Sequence, residues 1–371
     1  MNYTSETVMI AMHSKQRFQT IVWAIVLGLL CLPWRLAAQD PPARLGLPKL
    51  AIPVDNPLSS AKIALGRKIF LDTRLSHDSA TSCASCHQPK RAFTDGLKVA
   101  KGTDGRLGTR NTPSLLNAAY NQTQFWDGRR ADLESQALDP LFNPREHAIQ
   151  DVQALLGMLR RDAGYAAAFK TAFRIEPNDI NVQHISRALA CFTRTLVAGN
   201  SPFDRYYFQN EKTAMPASAV RGLVLFQGAA RCATCHTIDT SHALFTDNKF
   251  HSLSVGLRRI APRLADITSR LVNSKDNLEK LDQAVLTDED VAELGRFVVT
   301  YNPADIGKFR TPSLRNVAQT APYMHDGSVP TLEDAVEQEL YYRSVESGQP
   351  LILTPGEKND LVEFLRSLNS Q

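Results

Sequence analysis

The sequence predicts a mainly α fold made of two tandem copies of one unit, each with long loops. Three observations predict it: apolar residues recur at helical spacing in several segments, alternating β-branched runs are scarce, and two pairs of motifs repeat along the chain. The 371 residues suffice for two or three domains of about 100 to 200 residues each. With 43% hydrophobic and 22% charged residues, the composition excludes general disorder and a multi-span membrane protein. Lys15, Arg17 and Arg35 against Glu6 supply +2 of the net charge of +4, so only +2 is left for the rest of the chain. That is no basic footprint for nucleic acid.

The first 38 residues read as a secretory signal: Lys15 and Arg17, the apolar run Ile21 to Leu32, then Ala37 and Ala38, with cleavage near Ala38. The run of about 12 residues falls short of the roughly 20 that span a bilayer, so a cleaved leader is expected, with an uncleaved anchor as the alternative. The mature chain is then exported and is not an integral membrane protein. It keeps Cys83, Cys86, Cys191, Cys232 and Cys235, an odd count that argues against a disulfide framework. Cys191, within the apolar stretch Ile185 to Val197, reads as a buried helix residue.

Helical periodicity marks Ala61 to Phe70, Asp151 to Phe173, Asp179 to Val197 and Ala219 to Gly228, and Asn200-Ser-Pro202 punctuates the passage between the copies. A last helix is expected from Pro355 to Leu368, with the proline near its first position and the stripe Leu361, Phe364, Leu365, Leu368.

Shortly after the first and fourth of these segments stand Cys83-Ala-Ser-Cys86-His87 and Cys232-Ala-Thr-Cys235-His236. Both match the attachment pattern of c-type haem, in which two thiols three positions apart add to the two vinyl groups and the next histidine faces the iron. A Cys₄ zinc site usually spaces its pairs by about 15 to 20 residues, whereas these lie 149 apart and each carries a histidine. A thioredoxin-like redox pair would need a β-rich run before it, which neither site has. The expected cofactors are two covalently attached c-type haems.

A second repeat follows each site. Thr112-Pro-Ser-Leu-Leu-Asn117 aligns with Thr311-Pro-Ser-Leu-Arg-Asn316, and each is followed in the same register by Asp127-Gly128 or Asp326-Gly327. The offset is 199 here and 149 at the haem motifs, so 50 additional residues, charge-rich around Arg258 to Asp290, lie between His236 and Thr311. The chain reads as a duplicated haem domain.

These features resemble the bacterial di-haem cytochrome c peroxidase and MauG-like family. The resemblance runs from roughly Leu58 to Ser367. It is most specific at Arg110-Asn-Thr-Pro-Ser-Leu through Phe125-Trp-Asp-Gly-Arg129, at Gln136 and Glu146, and at Ala321-Pro-Tyr-Met-His-Asp-Gly327. It implies two cytochrome-c-like domains in a periplasmic enzyme: residues 39–200 with a peroxidatic haem and 201–371 with an electron-relay haem. It further implies that Glu146 is the acid/base for hydrogen peroxide, Gln136 the nearby pocket amide, and Trp126 the ring between the haems. His325 would lie close to the second haem. Asn111, Thr320 and Pro322 match an interdomain calcium site, a plausible oxygen donor set for that ion. Read without the resemblance, Glu146 is a surface charge in a turn, Trp126 a packed core ring, and Thr320 and Pro322 loop structure.

Two positions depart from the peroxidase pattern. Family peroxidases carry a capping histidine where this chain has Thr103, and no His or Met occurs from Gln88 through Arg145, so the first iron is expected to be open in the MauG-like manner. The second haem's methionine, or tyrosine in MauG-like members, falls 14 residues beyond His325, at Glu339, followed by Leu340-Tyr341-Tyr342. A small register change would bring Tyr341 or Tyr342 to the iron, the expectation favoured here over Met324. The leading functional expectation is peroxide-driven oxidation of a partner, a Trp or Tyr of a substrate protein, through the second haem. The alternative is a cytochrome c peroxidase that detoxifies peroxide with electrons from a redox partner, a small cytochrome or copper protein. A non-catalytic electron carrier with two closed haems is disfavoured by the missing loop histidine.

Overall fold

The structure, a computed structural model, describes residues 44–273 and 278–370. The expected leader over residues 1–38 lies outside the described residues. No helix among the described residues is long and apolar enough to cross a membrane.

Each copy is organised around a pair of helices that cross at a glycine. The Ser60–Leu71 helix starts where Ser59 accepts from the Lys62 amide, and it buries Leu65, Gly66, Ile69 and Phe70. It crosses the Val182–Thr193 helix so closely that a Cβ on Gly66 would lie 2.0 Å from the Ala188 carbonyl oxygen. The second copy repeats the device. Its Ala217–Gln227 helix crosses the Pro355–Arg366 helix, where a Cβ on Gly222 would lie 2.0 Å from the Asp360 oxygen. Thr354 and Glu357 form a capping box at the start of the last helix.

Around the first crossing, Leu65, Ile69, Leu155, Leu159, Phe169 and Leu189 form one core; around the second, Phe203, Leu223, Phe226, Phe245 and Phe364 form another. Cys191 is fully buried in its helix, as its apolar surroundings predict. The periodic stretch from Asp151 to Phe173 is two helices, Val152–Arg161 and Ala163–Phe173, because the Asp162 side chain accepts from the Tyr165 amide and starts the second.

The 50 additional residues fold into a third, smaller cluster. Helices Leu264–Asn273 and Leu278–Thr287 contribute Ile267, Leu271 and Val285, which pack with Ile260, Leu294 and Phe297. The two short strands Phe250–His251 and Phe309–Arg310 pair antiparallel, Phe250 opposite Arg310. The chain's first described residues lie against the second core: Arg315, fully buried, pairs with Asp204 at 2.8 Å and donates to the Gly46 carbonyl at 2.6 Å.

Candidate active site

Both cysteine-histidine motifs fold in the same way. The His87 amide donates to the Cys83 carbonyl at 2.9 Å and the His236 amide to the Cys232 carbonyl at 3.0 Å. His87 Nδ1 lies 2.9 Å from the Phe93 carbonyl oxygen and His236 Nδ1 lies 2.8 Å from that of Phe245. A carbonyl only accepts, so each Nδ1 carries the proton and each Nε2 lone pair is left for a metal. Phe93 and Phe245 share a left-handed backbone, φ +59° and +53°, which turns both carbonyls to this task. Burial lowers the pKa of both imidazoles, that of His236 to about 4, and so keeps them in the neutral, ligating form.

The two motifs open on different cavities. Cys86 and His87 face one with about 990 Å³ of empty space, while Cys232, Cys235 and His236 face one with about 1910 Å³, both figures including space open to solvent. Separate cavities rule out a shared Cys₄ site. Burial pushes the Cys83, Cys86 and Cys232 thiols up to about 12. A neutral thiol pair beside an imidazole with a free Nε2, on a cavity large enough for a flat macrocycle, fits a covalently attached haem twice over. The ligand atoms of Cys235, Asp247 and His251 lie within 4.8 Å of one another, but this group draws on a thiol of the second motif.

Glu146, Gln136 and Trp126 all line the cavity of His87. The Asn143 amide donates to Glu146 Oε1 at 2.5 Å, and the Thr103 amide donates to the Glu146 carbonyl at 2.7 Å. Gly102 lets that loop approach, since a Cβ there would lie 2.2 Å from the Arg145 oxygen. Burial raises the Glu146 carboxyl above the ordinary 4.5, while Asn143 and Arg129 pull it down and Asp139 pushes it further up. Thr103 is buried and outside the lining, and His87 is the only imidazole or thioether among the described residues that line this cavity.

Part of this cavity's wall was not legible in the sequence. Val285 and Leu286, from the additional segment of the second copy, line the first cavity. Thr109 Oγ1 donates to the Val285 carbonyl at 3.0 Å and Arg145 Nη2 to the Thr287 carbonyl at 2.7 Å, which fixes the segment there. The one sequence signal was the length of the insertion.

Trp126, Asn111 and Arg310 line both cavities. Trp126 Nε1 donates to the Asn111 carbonyl at 3.0 Å, and the Asn111 amide donates to the His325 carbonyl at 2.8 Å. His325 lines the second cavity, its ring stacked on Phe309 at 3.6 Å between centroids and its Nε2 2.7 Å from Glu293 Oε2. Glu293, also from the additional segment, escaped sequence analysis because nothing local marks it. Arg310 escaped too, although the repeat register sets it opposite Asn111.

Asn111, Thr320 and Pro322 all line the second cavity. Asn111 Nδ2 donates to the Leu97 carbonyl at 2.9 Å, which turns its Oδ1 elsewhere. With two backbone carbonyls, that oxygen is the kind of donor calcium takes.

The second cavity is bounded by one face of the Leu332–Ser347 helix, which presents Val336, Glu339, Leu340 and Arg343. Tyr341 and Tyr342 are not among its lining residues. Tyr341 is exposed, and its hydroxyl accepts from Arg258 Nη2 at 3.3 Å. The helix continues without a register change: at 3.6 residues per turn, 336, 339, 340 and 343 share a face that 341 leaves. Met324 lies in the lining.

A family model described as di-haem cytochrome c peroxidase matches residues 60–213. The chain is 36% identical over 335 residues to "Cytochrome-c peroxidase IdrP1" of Pseudomonas sp., covering 87% of this chain and 84% of that protein. It is 35% identical over 326 residues to "Methylamine utilization protein MauG" of Methylorubrum extorquens, covering 86% and 81%. Among solved structures, it is similar to a MauG-like protein associated with microbial copper homeostasis, at TM-score 0.68 and 32% identity, covering 88% of this chain and 95% of the other.

Proposed function

The chain belongs to the di-haem cytochrome c peroxidase and MauG family, oxidoreductases that use peroxide, and from that premise we propose a periplasmic enzyme that oxidises a partner protein through its second haem. The observation that carries this reading is a cavity that has one imidazole, His87, together with Glu146, Gln136 and Trp126 on its wall.

The haems supply redox-active iron, the first of them for cleavage of the peroxide O–O bond. The Glu146 carboxylate accepts a proton from one peroxide oxygen and returns it to the departing one. Gln136 offers its amide as a hydrogen-bond donor in the same cavity, and Val285 and Leu286 restrict water there. Trp126, common to both cavities, is the ring across which oxidising equivalents pass. Asn111, Thr320 and Pro322, on the wall of the second cavity, would hold one calcium ion. Glu339, on the cavity-facing side of its helix, would be the residue that offers a carboxylate to the second haem. A Trp or Tyr side chain of a partner protein is the substrate class.

A second reading, detoxification of peroxide with electrons from a small cytochrome or copper protein, is favoured by one observation: Met324 is among the residues that line the second cavity. The test adds stoichiometric hydrogen peroxide to the diferric holoprotein and follows near-infrared absorption and electron paramagnetic resonance. A change at both haems without prior reduction is expected. A requirement for prior reduction would select the peroxidase reading, and no reaction in either state would leave only electron carriage.

A further inference from the structure

Arg310 is a buried cation without an acid. Its side chain is walled in at the septum and lines both cavities. Nη1 donates to Asn121 Oδ1 at 3.1 Å and to the Thr311 carbonyl at 3.3 Å, both neutral acceptors. Nε is buried with no partner, and no bond is made by Nη2 to any described residue. Burial alone acts on the group and lowers its pKa to about 10. Three other arginines on the cavity walls are paired with acids, Arg110 and Arg129 with Asp127 and Arg315 with Asp204. Arg343 on the second cavity's wall bonds instead to Cys235 Sγ and Thr234 Oγ1.

An uncompensated buried guanidinium is costly, and folds keep buried charges paired. The vacant Nε and Nη2 donors form the edge of the fork that takes a carboxylate in bidentate fashion. A haem brings carboxylates of its own, the propionates. We propose that the Nε–Nη2 edge of Arg310 binds a haem propionate at the septum, and that its positive charge acts as a counter-charge common to both haem sites.

The same charge then biases both irons toward their reduced forms, because a cation near a site that gains an electron lowers the energy of the product. The inference rests on haem attachment in both cavities. A colourless, correctly exported preparation would sink that attachment, whereas haem-loaded variants that behave as wild type would sink the Arg310 assignment alone.

The experiment compares wild-type holoprotein with Arg310→Gln and Arg310→Lys, by spectroelectrochemical titration of both haems and by the propionate bending bands in resonance Raman. Arg310→Gln should shift both reduction potentials to more negative values. Arg310→Lys, which keeps the charge but loses the fork, should restore most of that shift and still move a propionate band. An unchanged potential at either haem in Arg310→Gln overturns the common role. If Arg310→Gln does not fold, Arg310→Lys decides, and unaltered propionate bands in it overturn the assignment.

Discussion

Glu146 has the two properties a proton shuttle for peroxide needs: it faces the cavity of His87, and it is enclosed enough to be drawn toward neutrality. The proton-accepting form is the carboxylate, so peroxide reactivity should fall as pH is lowered through the raised pKa, with the acid limb above 4.5 rather than at it. In Glu146→Gln the rate should drop by about 10²- to 10⁴-fold and that limb should vanish, as stopped-flow measurements across pH would record. An unchanged rate would remove Glu146 from its role. At the second site, Glu339→Gln should alter the haem spectrum, while Tyr341→Phe and Tyr342→Phe should leave it as in wild type, because only Glu339 shares the helix face toward the cavity. A spectral change in a tyrosine variant would restore the tyrosine ligand, and no change in any of the three would point to Met324.

Helices, caps and their glycine crossings are the elements that hold the thiol and imidazole positions in place. Gly66 and Gly222 bring a helix backbone against a neighbour's carbonyl, and neither crossing has room for a methyl group. Gly222→Ala should therefore cost about 1–3 kcal/mol of stability through overpacking, read as a lower thermal midpoint of the haem-loaded protein. An unchanged midpoint would show that the crossing can spread. The helix segments were legible in the sequence because burying one face imposes a period of 3.6 on the apolar residues. The break at Asp162 was not, since an aspartate in a periodic run reads as an exposed position until its side chain is seen to accept from Tyr165.

Across the whole molecule, the copies are repeats that have exchanged parts. The additional segment of the second copy walls the first cavity through Val285 and Leu286 and supplies Glu293 to His325, while Gly46, early in the chain, accepts from Arg315 in the second core. Trp126, Asn111 and Arg310 make the septum that both cavities use. By itself, the sequence determined the α class, the duplication, the two thiol-imidazole sites and the absence of a histidine at Thr103, because each of these is written in local spacing and covalent chemistry. Tertiary structure alone decided that Glu339 rather than Tyr341 or Tyr342 faces the second cavity, that a distant insertion walls the first, and that Arg310 is buried without an acid. Those outcomes depend on which side of a helix or loop is covered by residues far away in the chain, and no local pattern records that.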